Sequence, residues 1–533
     1  MKRLPAVLLA LALAACGAQR PAEQAPGTSL TWAIETQPIT LNPQQWAQNK
    51  VRLLVFNQFD ALLSRAEDGT FHPWLATSWK ASDDGLTYTL DLRQDVTFHD
   101  GTRFDAAAVK ANLDQFRVPG YNPAVSAIQL RAFDQAEVVS PYTVRITLKE
   151  PDGLFLDFLA SPYAGQVSPA SLKHAKDLKF GGTDLVGTGP FILDRYVPGQ
   201  EIRYRRNPAY KWPPAGAAHQ GPAYLSELTY RFLPEAAVRV GALTSGQVQV
   251  IEGVPATDVE LIKKDPDLAL RTSLNSGTSF SYYFNTNRAP FDDQRVREAF
   301  REAVDVDAVL RSVYQGTATR AWSVVGERSP FYDATLENAY GGDPARANAL
   351  LDAAGWRQRD AEGFRVKDGR RLTVRTVASA PFVRDRRDIL AQAVQAQVKQ
   401  SAGIDFQVKI VDQGSAQKAV EENEYEIFEN SRGDPDVGAA LNLILPGQGA
   451  INRTHFTDER VDKWLAQASA SSDQARRKEL YAKVQQAVVR EKAIVFPLYV
   501  PADQLAARRS VQGLGFDPAS GTPAGAYDVR IGT

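Results

Sequence analysis

Residues 228–251 constrain the fold most, because they are arranged as a strand, a helix and a second strand in direct succession. The first strand has an apolar residue at every second position, namely Leu228, Tyr230 and Phe232, which is typical of a strand with one buried face. A helix is predicted from Pro234 to Leu243, with Gly246 at its end. A second strand follows at Gln247–Ile251. Strands joined by a helix usually lie parallel, so an α/β protein with a partly parallel sheet is predicted.

Turn and capping residues surround another strand, Thr87–Leu92, in which apolar and polar residues alternate. Asp84-Gly85 precedes this strand and His99-Asp100-Gly101 follows it. Glycine in such turns tolerates the positive φ that other residues avoid. Asp105 is then expected to cap a helix with a side-chain hydrogen bond. These residues by themselves predict a strand, two tight turns and a capped helix.

The sequence of this region also resembles that of a known protein family. The segment PWLATSWKASDDGLTYTLDLRQDVTFHDGTRFDAAAVKAN resembles the signature region of the family 5 extracellular solute-binding proteins, receptors for peptides, nickel complexes and related solutes that feed ABC importers. Shorter pieces agree in order: Leu41-Asn42-Pro43, Phe59–Leu63, the GTGPF piece at Gly187–Phe191 and the GDPD piece at Gly433–Asp436. In the family the GTGPF piece implies a tight crossing between lobes. A phosphate-loop interpretation of its two glycines lacks the Lys-Ser/Thr that such a loop needs.

The resemblance implies an α/β, two-lobed periplasmic-binding-protein-like fold (type II, cluster C). Mixed sheets, an extra subdomain in lobe 1 and inter-lobe hinge strands are expected, with Ser276-Gly277 as one crossing point. Lobe 1 is predicted to be discontinuous. The predicted boundaries are 1–15 for a signal peptide, 16–29 for a lipidated cysteine and flexible tether, 30–60 with 181–275 and 499–533 for lobe 1, 61–180 for its extra subdomain, and 276–498 for lobe 2.

The first residues have the layout of a secretory signal peptide. Met1-Lys2-Arg3 is basic, Leu4–Leu13 is apolar but too short to span a bilayer, and Cys16 follows Leu13-Ala14-Ala15. The last four of these residues resemble the bacterial lipobox, so Cys16 is expected to carry the lipid. The alternative is a stray thiol in an uncleaved tail. A membrane-anchored lipoprotein outside the cytoplasm, in the periplasm of a diderm bacterium, is therefore expected.

Charge and motif content disfavour several function classes. Sixty-one Lys and Arg balance 62 Asp and Glu, so the bulk charge gives no reason to expect nucleic-acid binding. The five histidines do not have the helical spacing of a zinc site, although a site assembled from distant positions stays open; they are His72, His99, His174, His219 and His455. Neither a GxSxG elbow nor a second cysteine is present. No catalytic residue, metal or cofactor is assigned, and an enzyme is not predicted.

The resemblance places the ligand in the cleft between lobes, beside the loop 429–436. In peptide-binding relatives an aspartate three residues before the first aspartate of GDPD holds the free amino group of the peptide. This chain has Ser431 at that position, with Arg432 beside it and Asp434 and Asp436 following. A hydroxyl cannot offset the cost of burying an ammonium as a carboxylate can. The hypothesis is a ligand other than an ordinary free-amine peptide, with an anionic group that Arg432 contacts; the alternative is Arg432 as a surface residue.

Further candidate binding residues lie on two other loops. Trp46 could supply a stacking face, or it could pack on the following helix. Phe382 and Arg384 loosely match an aromatic residue and an arginine that relatives place in this region. The aromatic residues of the strand at 280–285 could reach the cleft, but at strand spacing they are expected to be core; they are Phe280, Tyr282 and Tyr283.

The expected function is the lipid-anchored solute-binding subunit of an ABC importer. It would capture a small peptide-like, opine-like or chelated solute and present it to permease transmembrane subunits. The expected partners are that ligand, the permease and the membrane through the lipid, with no nucleic acid, and the chain is expected to be a monomer. Three alternatives stay open: a secreted hydrolase on the same cleft, a chaperone-like surface lipoprotein, and a nickel–chelator complex as the ligand.

Overall fold

The structure is a computed structural model that describes residues 28–45, 52–119, 121, 130–173, 180–380, 383–434 and 436–532. The predicted signal peptide, Cys16, most of the predicted tether, Trp46, His174 and Phe382 lie outside the described residues. Within the described ranges, no helix combines the length and the apolar character that crossing a membrane requires.

Twenty-four strands are present in the described residues. In chain order they are β1 Ser29–Ile34, β2 Leu63–Arg65, β3 Phe71–Pro73, β4 Ala76–Ala81, β5 Thr87–Leu92, β6 Phe133–Ser140, β7 Thr143–Leu148, β8 Phe191–Val197, β9 Glu201–Arg206, β10 Glu227–Phe232, β11 Val250–Glu252, β12 Leu268–Leu274, β13 Phe280–Phe284, β14 Thr319–Arg320, β15 Gln358–Arg359, β16 Arg365–Lys367, β17 Arg370–Arg371, β18 Thr373–Ser379, β19 Asp405–Val411, β20 Ile427–Asn430, β21 Val495–Val500, β22 Ala502–Arg508, β23 Val511–Gln512 and β24 Arg530–Ile531.

Fourteen α-helices accompany these strands in the described residues. They are α1 Arg52–Gln58, α2 Ala106–Gln115, α3 Phe155–Leu159, α4 Pro169–Leu172, α5 Ala236–Thr244, α6 Val259–Lys264, α7 Gln294–Glu302, α8 Val306–Tyr314, α9 Pro344–Ala353, α10 Arg387–Ala402, α11 Gln413–Glu421, α12 Val437–Ile444, α13 Glu459–Ser469 and α14 Gln474–Gln485. Short 3₁₀ turns lie at Pro43–Gln45, Pro162–Ala164 and Ala334–Leu336, and a π-helix at Gln486–Glu491 continues α14.

Two large mixed sheets organise the chain into two lobes. The first sheet has the order β12-β22-β11-β1-β10-β9-β8, and β1 lies parallel to both β10 and β11. The second has the order β14-β21-β13-β20-β18-β19, and β18 lies parallel to β19 and β20. The predicted α/β class with mixed sheets is therefore confirmed. Helix α5 connects β10 to β11, so the βαβ interpretation is also confirmed, with β1 inserted between the two strands.

The hydrophobic core is divided between the lobes. One cluster includes Trp32 and Tyr230 on one face of the first sheet, and a smaller cluster on the other face includes Leu243 and Ile262. A separate cluster fills the second lobe, with Phe284 among its fully buried members. Two cores of this kind allow each lobe to keep its packing while the lobes move relative to one another.

The chain crosses between the lobes at two adjacent points. β12 ends in the first sheet and β13 begins in the second, while β21 ends in the second sheet and β22 begins in the first. The two crossings are hydrogen bonded to each other, because the Asn275 amide donates to the Pro501 carbonyl at 2.8 Å. Strand β21 extends to Val500 and would place the return crossing at Pro501. The lobe boundaries given above otherwise stay a prediction.

Gly277 allows the first crossing to pass close to the second lobe. Its φ is +110°, and a Cβ atom there would lie 2.2 Å from the Arg432 carbonyl oxygen. Only glycine combines that backbone conformation with so close an approach. The Thr278 amide next to it donates to the same carbonyl at 2.8 Å. The hinge and the loop around Arg432 are therefore in direct contact.

A four-stranded antiparallel sheet, β4-β5-β7-β6, forms a subdomain packed on the first lobe. Strand β5 has the predicted bounds, with Tyr88, Leu90 and Leu92 buried. Helix α2 begins where predicted, since the Asp105 carboxylate accepts a hydrogen bond from the Ala108 amide at 2.9 Å. These two elements were predictable because their signals are local.

The GTGPF segment does not cross between lobes, so that interpretation is wrong. It leads from the subdomain into β8 of the first sheet, and the Gly189 amide donates to the Gln58 carbonyl at 2.9 Å. A Cβ atom on Gly187 would lie 2.1 Å from the same carbonyl oxygen. The glycines are needed because this segment passes directly over the end of α1.

Candidate functional site

A cavity of about 300 Å³ lies where the two lobes meet the hinge. The first lobe contributes Arg239, residues 253–256 and Gln504, and the hinge contributes Asn275 and Pro501. The second lobe contributes Tyr314, residues 384–387, residues 431–433 and Tyr499. A solute in this cavity would contact both lobes, which is the requirement for a ligand that favours lobe closure.

Arg387 is the central cation of the cavity wall. It is the first residue of α10, and its guanidinium donates from Nε to the Tyr499 hydroxyl and from Nη2 to Ser431 Oγ, both at 3.0 Å. It also lies 4.3 Å from the centroid of the Phe280 ring. Burial opposes the charge, but Tyr499 and Asp385 keep the pKa of Arg387 above its ordinary value. The cavity therefore contains a buried, positively charged guanidinium.

The predicted residues Ser431 and Arg432 both line the cavity. Ser431 accepts the hydrogen bond from Arg387, so its hydroxyl is held against a cation. Arg432 Nε donates to Asp434 Oδ2 at 2.9 Å, and this carboxylate raises the pKa of Arg432. The Arg432 side chain is 26% exposed, compared with 7% for Asp434. Arg432 is thus a cavity residue whose charge is largely matched by its neighbour.

Asp434 and Asp436 do not line the cavity. Asp434 is the buried partner of Arg432. Asp436 precedes α12, where its Oδ1 accepts from the Gly438 amide at 2.8 Å and from Arg477 Nη2 at 2.7 Å. Its Oδ2 lies 3.4 Å from Arg65 Nη2 of the first lobe. The structure therefore brings Ser431, Arg432 and Arg384 together at the cavity and places Asp436 in a separate ionic cluster.

Arg384 is the most exposed of the cavity residues that the sequence singled out. Its side chain is 47% exposed, and the Asp385 carboxylate lies 3.8 Å from its Nε. The aromatic residues of β13 are fully buried in the second lobe, as expected for core positions. Trp46 and Phe382 stay predictions, since they fall in the undescribed parts of the chain.

Arg386 and Arg387 are cavity residues that sequence reasoning missed. Asp385 and Arg386 have positive φ values of 54° and 57°, which turn the chain sharply into the start of α10. Arg386 Nη1 is buried and has no hydrogen-bond partner in the described part of the chain. The signal was a run of three arginines between 384 and 387 directly before a helix. A helix N-terminus adds positive potential to this cluster.

Metal chemistry has little support from the described residues. No three histidine, cysteine or acidic side chains among them are grouped as a metal site would need. His99 donates a hydrogen bond from Nε2 to the Gly189 carbonyl at 2.9 Å, and burial lowers the pKa of its ring to about 4. It is a structural residue of the turn after β5, as expected. The described lining of the cavity includes no histidine.

The comparisons with known proteins agree with this architecture. Residues 70–449 match the family model described as bacterial extracellular solute-binding proteins, family 5 Middle. The chain belongs to this family. The family 5 resemblance drawn from the signature segment is therefore confirmed, and the two-lobed fold is confirmed with it. Proteins of this family are extracellular solute-binding proteins.

Individual family 5 proteins are similar over nearly the whole chain. A glutathione-binding protein GsiB of Escherichia coli O6:K15:H31 (strain 536 / UPEC) is 31% identical over 503 residues, or 92% of each chain. The crystal structure of NikA from Brucella suis in complex with Fe(III)-EDTA has a TM-score of 0.83 and 26% identity, covering 94% of this chain and 99% of NikA. The structure of HbpA2 from Haemophilus parasuis has a TM-score of 0.77 and 25% identity, covering 95% of this chain and 100% of HbpA2.

Proposed function

We propose that this family 5 protein is the solute-binding subunit of an ABC importer and captures a small carboxylate-bearing solute between its lobes. The observation that carries the proposal is the buried Arg387 guanidinium hydrogen bonded to Ser431, where the family resemblance places an amino-group carboxylate. A solute anion there would meet a fixed cation and a hydroxyl donor. A solute ammonium would instead be repelled by Arg387.

The size of the cavity supports a small solute. At about 300 Å³ it lies at the lower end of the volumes typical of small-molecule pockets, roughly 300 to 1,000 Å³. Residues from both lobes and the hinge surround it, so a bound solute would be largely removed from water. A cavity of this volume is too small for a long peptide.

The named relatives support the carboxylate part of the proposal. GsiB is named for glutathione, and NikA was crystallised with an EDTA chelate. Glutathione carries two carboxylates besides its ammonium group, and EDTA carries four. Arginines 384, 386 and 387 with Arg432 offer guanidinium groups from one wall of the cavity. Because guanidinium binds carboxylate with two parallel hydrogen bonds, this wall suits such solutes.

Anchoring and transport rest on the sequence. The signal-peptide layout and the lipobox-like residues before Cys16 support a lipid anchor outside the cytoplasm. Two or more acyl chains would hold the protein at the membrane while residues 16–29 act as a tether. Ligand-driven closure would then present the solute to permease subunits. The two lobes, with the boundaries predicted from the sequence, would be the units that move together.

Titration calorimetry on the purified full chain tests the ligand class. The probes are glutathione, Fe(III)-EDTA, the dipeptide Ala-Ala and N-acetyl-Ala-Ala. We expect a carboxylate-rich probe to bind, and we expect N-acetylation not to weaken dipeptide binding, because Ser431 stands at the position where peptide-binding relatives have the carboxylate for the amino group. Native mass spectrometry of freshly purified protein would identify any solute carried from the cell.

Two variants make the test specific to Arg387. Arg387→Gln should weaken binding of the carboxylate probe roughly 10- to 100-fold, the usual effect of losing a charge-assisted hydrogen bond. Arg295→Gln is the matched control, because Arg295 is a surface residue of the same lobe that pairs with Asp293. Tight binding of Ala-Ala that is abolished by N-acetylation would contradict the proposal.

A further inference from the structure

A buried ionic cluster joins the two lobes away from the cavity. Arg65, at the end of β2 in the first lobe, donates from Nη1 to Asp157 of α3, and its Nη2 lies 3.4 Å from Asp436 Oδ2 of the second lobe. Asp436 in turn accepts from Arg477 Nη2 of α14 at 2.7 Å. None of the four residues lines the cavity. We call them the inter-lobe cluster.

The inter-lobe cluster is almost completely removed from water. The side chains of Arg65 and Asp157 are 4% and 9% exposed, and those of Arg477 and Asp436 are 0% and 2% exposed. Opening the lobes would break the bond between Arg65 and Asp436 and expose Asp157. The cluster in this form therefore exists only while the lobes are closed.

A second contact shows how tightly the lobes meet beside this cluster. The Gly153 amide of the first lobe donates to the Ser469 carbonyl of the second at 2.7 Å. A Cβ atom on Gly153 would lie 2.2 Å from the Ser471 carbonyl oxygen. Any side chain at position 153 would therefore hold the lobes apart, and the surface there is shaped for closure.

One carboxylate oxygen of the cluster has no partner. Asp157 Oδ2 is buried without a hydrogen bond in the described part of the chain, whereas both oxygens of Asp436 contact a guanidinium. A buried ionised oxygen without a partner is costly, and a protonated carboxyl group in the same place is much less so. Asp157 also lies near the second carboxylate, Asp436, which further disfavours its charge.

We infer that the inter-lobe cluster is a latch that stabilises the closed lobes and takes up one proton at Asp157 as they close. The inference rests on the proposed function, because closure over a solute is the step that the latch would favour. The solute would supply the contacts at the cavity, and the latch would supply contacts on the side of the interface that the solute does not touch.

The direction of the pH effect follows from the groups that face Asp157. These are Arg65, Asp436, Arg477 and Tyr481. Burial raises the pKa of Asp157 to about 7 from its ordinary value of 3.8, with Arg65 opposing and Asp436 adding to the rise. Although burial opposes it, Arg477 and Arg65 hold the pKa of Asp436 below its ordinary value, so Asp436 stays ionised.

Opening would return Asp157 to water and lower its pKa, so closure is linked to proton uptake. The closed population should therefore increase as the pH falls below about 7, by at most about tenfold per pH unit, and should not change with pH above that value. This direction is opposite to that of a simple ion pair, which weakens when its carboxylate is protonated.

Pulsed electron paramagnetic resonance on the ligand-free full chain tests the latch. Spin labels would be placed on exposed positions of the two lobes, through Glu137→Cys and Lys418→Cys in a Cys16→Ser background. We expect the short, closed distance to become several-fold more populated between pH 8 and pH 5.5. Asp157→Asn should abolish this dependence, and Asp114→Asn, on the surface of the same subdomain, should preserve it.

Gly153→Ala provides a second variant, which leaves the four residues of the inter-lobe cluster unchanged in sequence but prevents the lobes from closing on them. It should hold the lobes open at every pH, because its methyl group would occupy the place of the Ser471 carbonyl. The latch would be overturned if the closed population of the parent protein did not change with pH. It would also be overturned if the closed population of Asp157→Asn changed with pH as much as that of the parent. Proton-linked closure without binding of any probe would support the latch and count against the proposed ligand class, so the two failures are distinguishable.

Discussion

Replacing Ser431 with aspartate tests the charge balance of the cavity most directly. The Ser431 hydroxyl accepts from Arg387 Nη2 at 3.0 Å, so the new carboxylate would lie beside a buried guanidinium. Two unit charges about 4 Å apart attract each other by about 4 kcal/mol at an effective dielectric constant of 20. Arg387, whose Nη2 already lies 3.8 Å from Asp385 Oδ2, would therefore pair with the new residue, and a solute carboxylate would have to compete with it.

The expected loss is smaller than the full attraction, because a neutral pair still offers hydrogen bonds and other arginines remain. We expect Ser431→Asp to weaken binding of the carboxylate probe by about 2 kcal/mol, or roughly 30-fold in Kd. It should not create tight binding of Ala-Ala, since Arg387 would neutralise the carboxylate that an ammonium needs. Titration calorimetry at constant pH measures both affinities.

A double-variant cycle separates the two residues. In Ser431→Asp combined with Arg387→Gln the carboxylate would lack its nearest cation, so this protein should bind Ala-Ala more tightly than Ser431→Asp alone. The same protein should have lost its affinity for the carboxylate probe. If Ser431→Asp alone binds Ala-Ala tightly, or leaves the carboxylate probe unaffected, Arg387 does not set the charge preference of the cavity.

Three further changes test the hinge, the first core and the anchor. Gly277→Ala should lower the free energy of unfolding by about 3 kcal/mol, and Gly316→Ala by about 1 kcal/mol. Both glycines have positive φ, but only at Gly277 would the added Cβ atom lie 2.2 Å from a carbonyl oxygen. Equal losses in denaturant titrations would exclude this contact. Burial raises the pKa of Asp60 to about 7, above its value in the unfolded chain, so its contribution to stability is present at low pH and lost as the pH rises through 7. Between pH 5 and 8 the free energy of unfolding should therefore fall by about 2 to 3 kcal/mol more in the natural protein than in Asp60→Asn. Denaturant unfolding at each pH measures it, and parallel curves of unfolding free energy against pH would contradict this. Cys16→Ser should move the protein from the membrane fraction to the soluble fraction of cells, and retention in the membrane fraction would count against a lipid anchor.

Local signals in the sequence were sufficient for several elements, among them β5 and the start of α2. The cap of α9 by Asp343 with Pro344 at its start, and the end of α10 at Gly403 with φ +68°, depend on a few adjacent residues. The predicted ends of helices were less accurate where packing sets the boundary. The helix predicted from Pro234 begins at Ala236, and α14 changes to a π-helix at Gln486, which no local signal marks. Such changes depend on neighbours distant in the chain.

The candidate site was only partly predictable for the same reason. The loop with Ser431 and Arg432 could be found because a family motif marks it. The role of Arg387 could not, because its partners Ser431 and Tyr499 are 44 and 112 positions away in the chain. Asp436 belongs to the same motif, yet its contact with Arg65 spans 371 positions and takes it away from the cavity.

The motif combines two tasks in one short loop. Ser431 and Arg432, directly before the GDPD residues, line the cavity, and Asp436, the last GDPD residue, belongs to the inter-lobe cluster. Between them, Asp434 faces the buried Tyr163 of the first lobe, whose pKa burial raises to about 12, with Asp434 adding to the rise. A solute that draws Ser431 and Arg432 toward the first lobe would therefore bring Asp436 toward Arg65 as well. Because one loop makes both sets of contacts, solute capture and latching are expected to be energetically coupled, without any need for a longer path through the protein.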